Sequence, residues 1–192
     1  MTPMLGIMAS SITGGLVTSS FESIATVTAA GGETSLSFTS IPGTYKSLQI
    51  RGILKSAYVT GTGGENNCKL QFNSDTSSLY PSHQLQGNGT TASASGSTGA
   101  AYIGYSIWEY FGNATNTFAV NIVDIIDYAN TSKYKTVRSL GGVDINGTAT
   151  GGIHLGSGYW PSTSAITSIQ ISGFLGGTTA AGSTFALYGI KG

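Results

Sequence analysis

The chain has 192 residues, 40% of them hydrophobic, so it is long enough to bury a core and too apolar to be disordered by composition. Charged residues make up only 8%, against roughly 25% in an average soluble domain, and eight basic residues balance eight acidic ones. This balance gives no electrostatic footprint for a phosphate backbone and argues against a nucleic-acid partner, while Ser, Thr, Asn and 29 glycines take over the work of hydration and favour turns over helices.

In chain order, residues 1–20 combine a short apolar cluster (Met4, Leu5, Ile7, Met8) with Gly and Ser, and show neither strand alternation nor helix caps. They read as an anchoring arm whose apolar side chains dock on a neighbouring protein, with a disordered terminus as the competing reading. The start lacks the basic region of a signal peptide, and no apolar run approaches the roughly 20 residues that span a bilayer, so neither export by that route nor membrane insertion is expected. From Phe21 to Gly192 short β-branched or aromatic runs alternate with turn residues, which predicts one all-β domain, an antiparallel sandwich. Predicted strands lie at 21–28, 33–39, 45–55, 67–73, 101–110, 117–127, 133–140, 151–159, 165–173 and 184–190.

Alternation assigns faces within these runs. Leu48, Ile50 and Leu54 share one face, as do Cys68, Leu70 and Phe72, and as do Phe118, Val120 and Ile122; these three faces are expected to build the core. Gly31-Gly32 predicts a hairpin between the first two runs, and Ala129–Ser132, flanked by Tyr128 and Tyr134, predicts another. The low-complexity stretch 87–100, GNGTTASASGSTGA, has no large side chain and reads as a surface loop. A lone cysteine, Cys68, rules out an internal disulfide.

Catalytic chemistry finds little to work with. The only histidines are His83, in the turn-like context YPSHQLQG, and His154, on a predicted strand. No G-x-S-x-G elbow occurs. Asp124 and Asp127, three apart on a strand, point to opposite faces, and Lys133, Lys135 and Arg138 are ready ion-pair partners for them. Two distant histidines and one cysteine make no metal-ligand spacing, and Asp144–Gly147 reads as a turn. No enzyme activity, metal or other cofactor is expected. The aromatic residues Tyr102, Tyr105, Trp108 and Tyr110, and separately Tyr159 and Trp160, are candidates for stacking on the sugar rings of a host surface glycan, with core or subunit interface as the competing reading.

Several segments together resemble a family of small virion structural proteins of tailed bacteriophages, of the tail-fibre or minor-tail kind: FESIATVT (21–28), FTSIPGTYKSLQIRG (38–52), DIIDYANTSKYKTVRSLGG (124–142), YWPSTSAITSIQIS (159–172) and STFALYGIKG (183–192), with LGIMASS as lead-in. The middle, 55–110, departs from the family pattern. The resemblance implies a jelly-roll-like β-sandwich (21–192) behind the N-terminal arm, displayed on the outside of the virion, the tail before the head, after synthesis in the host cytoplasm. It implies a short tail fibre or tail-attached receptor-binding protein that forms a homo-oligomer, a trimer by analogy. The alternative is a capsid decoration (cement) protein, and the third reading a carbohydrate-active tail enzyme.

Overall fold

The computed structural model describes residues 20–59, 63–77, 79–145 and 151–192. Twelve strands run through them: β1 (Phe21–Thr28), β2 (Ser35–Phe38), β3 (Ser47–Leu54), β4 (Gly64–Phe72), β5 (Tyr80–Gly87), β6 (Ala92–Ala100), β7 (Ile103–Phe111), β8 (Ala119–Ile126), β9 (Lys135–Val143), β10 (Gly152–Trp160), β11 (Ile169–Ser172) and β12 (Thr184–Ile190). They form two antiparallel sheets that pack as a sandwich, one of eight strands in the order β1-β12-β3-β8-β9-β10-β5-β6 and one of four in the order β2-β11-β4-β7. The apolar cluster Met4, Leu5, Ile7, Met8 of the expected arm lies outside the described residues.

The strand order resolves into a simple scheme. Without β5, β6, β9 and β10, the two sheets read β1-β12-β3-β8 and β2-β11-β4-β7, in which β1 pairs with β12, β2 with β11, β3 with β8 and β4 with β7. This is a jelly roll, one long antiparallel ribbon rolled into two four-stranded sheets. The remaining strands are two hairpins, β5–β6 inserted between β4 and β7, and β9–β10 inserted between β8 and β11. They join through the β10–β5 ladder and extend the first sheet beyond β8.

The main core fills the roll. Leu48, Ile50 and Leu54 of β3 and Cys68, Leu70 and Phe72 of β4 are fully buried, as their alternation predicts, and they meet Val123, Ile125, Phe185 and Leu187. Three expectations are corrected. Gly31-Gly32 does not close a hairpin, because β1 and β2 lie in different sheets; the glycines, both at positive φ, turn the chain from one layer to the other. The stretch 87–100 is not a loop, since β6 pairs with β5 along nearly its whole length. The Asn88 side chain fixes the turn between them, accepting from the backbone N–H groups of Thr90 (3.1 Å) and Thr91 (2.9 Å). On β8 the alternation is right and the face is wrong: Ala119, Asn121, Val123 and Ile125 point inward, while Val120 is 53% and Ile122 38% exposed and Phe118 half-buried. The predicted hairpin around Ala129–Ser132 does join β8 to β9.

Asn121 explains the inversion on β8. Strand β7 is the edge of the four-stranded sheet, and an edge strand carries backbone groups that no neighbouring strand bonds. The Asn121 carboxamide supplies the missing partner, accepting from the Trp108 N–H (2.8 Å) and donating to the Trp108 carbonyl (2.9 Å) across the gap between the sheets. Two residues along, the Tyr110 carbonyl accepts from the N–H of Ser56, which follows β3. Beneath β7, two positions of the extended sheet are kept free of a Cβ. A Cβ at Gly156 would stand 1.8 Å from the Tyr105 carbonyl oxygen, and one at Gly141 would stand 2.8 Å from the Trp108 ring. Trp108 and Tyr110 then form a second, smaller core with Ala119, Val143 and Ile145 on the opposite side of β7 from the main one.

At the far end of β9, Lys135 is fully buried and its ammonium donates to three backbone carbonyls, those of Asn130, Lys133 (2.8 Å) and Thr163 (2.9 Å). All three N–H donors are satisfied, so this lysine ties the β8–β9 turn to the chain after β10, leaving the carboxylates to Lys133 and Arg138. Burial lowers its pKa, and the charge of Asp127 partly restores it. Two substitutions test these ties. Asn121→Ala leaves two buried backbone groups unpaired and is expected to cost about 2–4 kcal/mol in chemical denaturation, whereas Ile122→Ser, one residue away on the outer face, is expected to cost less than about 1 kcal/mol. Lys135→Met, which strands three carbonyls, is expected to cost about 3 kcal/mol or more by the same measurement.

Candidate functional site

The outer face of the eight-stranded sheet is built by register. Each outward residue has its neighbours fixed on the adjacent strands, and the ladders place the side chains in rows running across the strands. One row reads Ile53, Val120, Gly142, Ile153 and Gly87 on β3, β8, β9, β10 and β5. The next reads Arg51, Ile122, Leu140, Leu155, Leu85 and, on β6, Ala94. A third reads Gln49, Asp124, Arg138, Ser157 and His83. Beyond it lie Ile126, Thr136 and Tyr159.

The face is therefore zoned. Its first two rows present seven exposed aliphatic side chains, with Ile153 the most open at 62%. Together they make a contiguous apolar patch of the kind that marks an interaction surface. A depression of about 520 Å³ opens in it between the β5–β6 turn at Gly87–Gly89 and the β9–β10 ends at Gly141–Asp144 and Gly151–Ile153. The patch ends at Arg51, whose guanidinium lies over the rings of Phe21 (5.0 Å) and Tyr188 (5.4 Å). The third row is a polar ladder: Gln49 donates to Asp124 (2.6 Å), and Arg138 bridges the same carboxylate (2.9 Å). At the far end Tyr159 stands beside Tyr134, and the two exposed rings flank a second groove with His83 and Ser157.

The six aromatic candidates are scattered by the fold. Trp108, Tyr110 and Trp160 are buried, which corrects their assignment as glycan contacts. Trp160 lies in the main core against Phe72, with its indole N–H donating to Asp75 (2.8 Å). Trp108 and Tyr110 are enclosed in the second core, with Tyr105 half-buried beside them. Tyr102 is half-buried under the Lys69 ammonium, 4.9 Å from the ring centroid. Of the six, Tyr159 alone opens onto the outer face. Sequence reasoning missed Tyr134 as its companion, although the antiparallel turn between β8 and β9 brings Tyr134 to the same end of the sheet.

Two buried polar clusters lie away from this face. His154 on β10, 1% exposed, stacks on Trp108 (3.5 Å between ring centroids) and bonds Glu65 through Nε2 (2.7 Å), while its Nδ1 has no partner. Among the described residues no hydroxyl hydrogen-bonds to His154. Glu109 on β7 is fully buried; its Oε1 accepts from Asn66 (2.9 Å) and from the Leu175 N–H, and Oε2 has no nitrogen or oxygen partner. Burial pushes its carboxyl up to about 7. The Cys68 thiol beside it is raised well above its usual range, first by burial and then by the Glu109 charge. Among the described residues no group of three or more His, Cys, Asp or Glu is placed to hold a metal ion, and no helix is long and apolar enough to cross a membrane.

Fold and face together describe a jelly-roll sandwich whose larger sheet carries an exposed apolar surface. No family model matches the chain, and no curated protein or solved structure is significantly similar to it.

The buried carboxyl has a measurable signature. Its pKa is higher in the fold than in the unfolded chain, so its contribution to stability is full below about pH 4.5 and is lost as the pH rises through about 7. Acting alone, Glu109 would remove on the order of 3 kcal/mol across that interval. Glu109→Gln is expected to flatten this part of the stability profile, measured as the difference between wild type and variant in denaturant titrations at pH 4.5, 6 and 7.5.

Proposed function

We propose that the chain is a non-enzymatic structural protein of a tailed-bacteriophage virion, a short tail fibre or tail-attached receptor-binding protein on the outer surface of the particle. In this reading the segment 1–20 fastens it to its virion neighbour, and copies of the chain associate with one another. The observation that carries the reading is the aliphatic outer face. Seven exposed aliphatic side chains on a regular sheet, in a chain of zero net charge, are costly for a protein that works alone in dilute solution and useful for one that works packed among neighbours. The jelly roll supports it by analogy, because that architecture recurs in viral capsid and lectin domains. The segments that resemble tail proteins support it as well.

Two measurements test the proposal. The copy number of the chain in purified particles, from quantitative mass spectrometry against the major capsid protein, is expected to be a few tens. Several hundred copies would replace the tail assignment with capsid decoration, and absence from particles would refute a virion role. The double variant Leu140→Glu, Leu155→Glu is expected to keep the circular dichroism spectrum of the isolated protein and to lower incorporation into particles at least tenfold. Undiminished incorporation would remove the outer face from the assembly.

A further inference from the structure

The aromatic end of the outer face carries a site of its own. Tyr134 and Tyr159 stand with their rings parallel to within 4° and their centroids 6.0 Å apart. They are 55% and 40% exposed, so about half of each residue faces water. A groove of about 410 Å³ opens beside them, lined by Pro81 and His83 of β5, Thr136 of β9, and Ser157 and Gly158 of β10. That volume lies within the range of small-molecule sites, roughly 300–1,000 Å³.

The chemistry of the lining is selective. The hydroxyls of Thr136 and Ser157 and the ring of His83 form no side-chain hydrogen bond among the described residues, which leaves donors and acceptors for a ligand. No carboxylate, lysine or arginine lines the groove. The basic residues on the neighbouring positions are engaged, Lys133 with Asp127 (3.5 Å), Arg138 with Asp124 (2.9 Å) and Lys135 with three backbone carbonyls. An anionic ligand would therefore have to compete with Asp127 and Asp124 for a counter-charge. Flat aromatic faces beside two hydroxyls and an imidazole complement a pyranose, which offers apolar C–H faces and a rim of hydroxyls.

We propose that this groove binds a neutral saccharide, with Tyr134 and Tyr159 stacking on sugar rings and His83, Thr136 and Ser157 bonding their hydroxyls. The inference deepens the receptor-binding part of the proposed function and rests on it for the biological source of the sugar. The site itself is testable on the isolated protein.

The full-length chain is titrated by calorimetry and by NMR with cellotetraose, chitotetraose and a galactose tetramer, with an acidic tetrasaccharide and a proline-rich decapeptide alongside. At least one neutral oligosaccharide is expected to bind. Tyr134→Ala and Tyr159→Ala are each expected to weaken that binding at least tenfold without moving the melting temperature, while Tyr159→Phe stays within about threefold of wild type. Binding of the acidic sugar or the peptide alone, binding of none, or neutral-sugar affinity indifferent to Tyr159→Ala would overturn the site. Copy number is measured separately on particles, so failure here leaves the virion reading standing.

Discussion

The structure turns on how the edge strand β7 is accommodated. Its backbone must be paired, and among the described residues no further strand pairs it; the Asn121 carboxamide does so instead, reaching across from the opposite sheet to both polar groups of Trp108. A β-strand alternates, so committing Asn121 inward commits Val120 and Ile122 outward. The ladders then align those two with Leu140, Leu155, Leu85 and Ile153. The apolar outer face is thus the counterpart of a polar demand inside, and the two cannot be changed independently. Glycine plays a matching part, because β7 can approach the extended sheet only where Gly141 and Gly156 leave room.

The same demand shows what the sequence made legible. Strands β3 and β4 each pack a single side against the core, so Leu48, Ile50, Leu54 and Cys68, Leu70, Phe72 announced their burial through spacing alone. Strand β8 is apolar on both sides, and spacing could not say which side faces inward. One clue was present: Asp124 shares its parity with Val120 and Ile122, and a charged residue on a strand of this kind marks the wet side. Asn121 looked like an exposed polar residue because its partner is 13 residues away in sequence and in the other sheet.

Strands β5 and β6 were hidden for a different reason. ASASGSTGA has almost no intrinsic preference for a strand, and YPSHQLQG begins like a turn. Their order comes from non-local pairing, since β10 offers a ladder to β5 and β5 offers one to β6. The aromatic residues misled in the opposite sense. Strand β7 is covered on both sides, by the main core and by the second one, so Trp108 and Tyr110 are enclosed where a one-sided strand would have displayed them. The pair left in the open, Tyr134 and Tyr159, joins the residue just before β9 to strand β10, which only the fold brings together.

The two inserted hairpins carry most of the outer face, yet the eight strands of the roll complete their own ladders without them. Four of the seven exposed aliphatic side chains, Leu85, Leu140, Ile153 and Leu155, therefore lie on strands outside the roll. Drift in the outward positions of β5, β6, β9 and β10 redraws the surface shown to the surroundings while the scaffold's strand pairing is conserved. A lineage built on this arrangement can change what it touches far faster than it changes its shape.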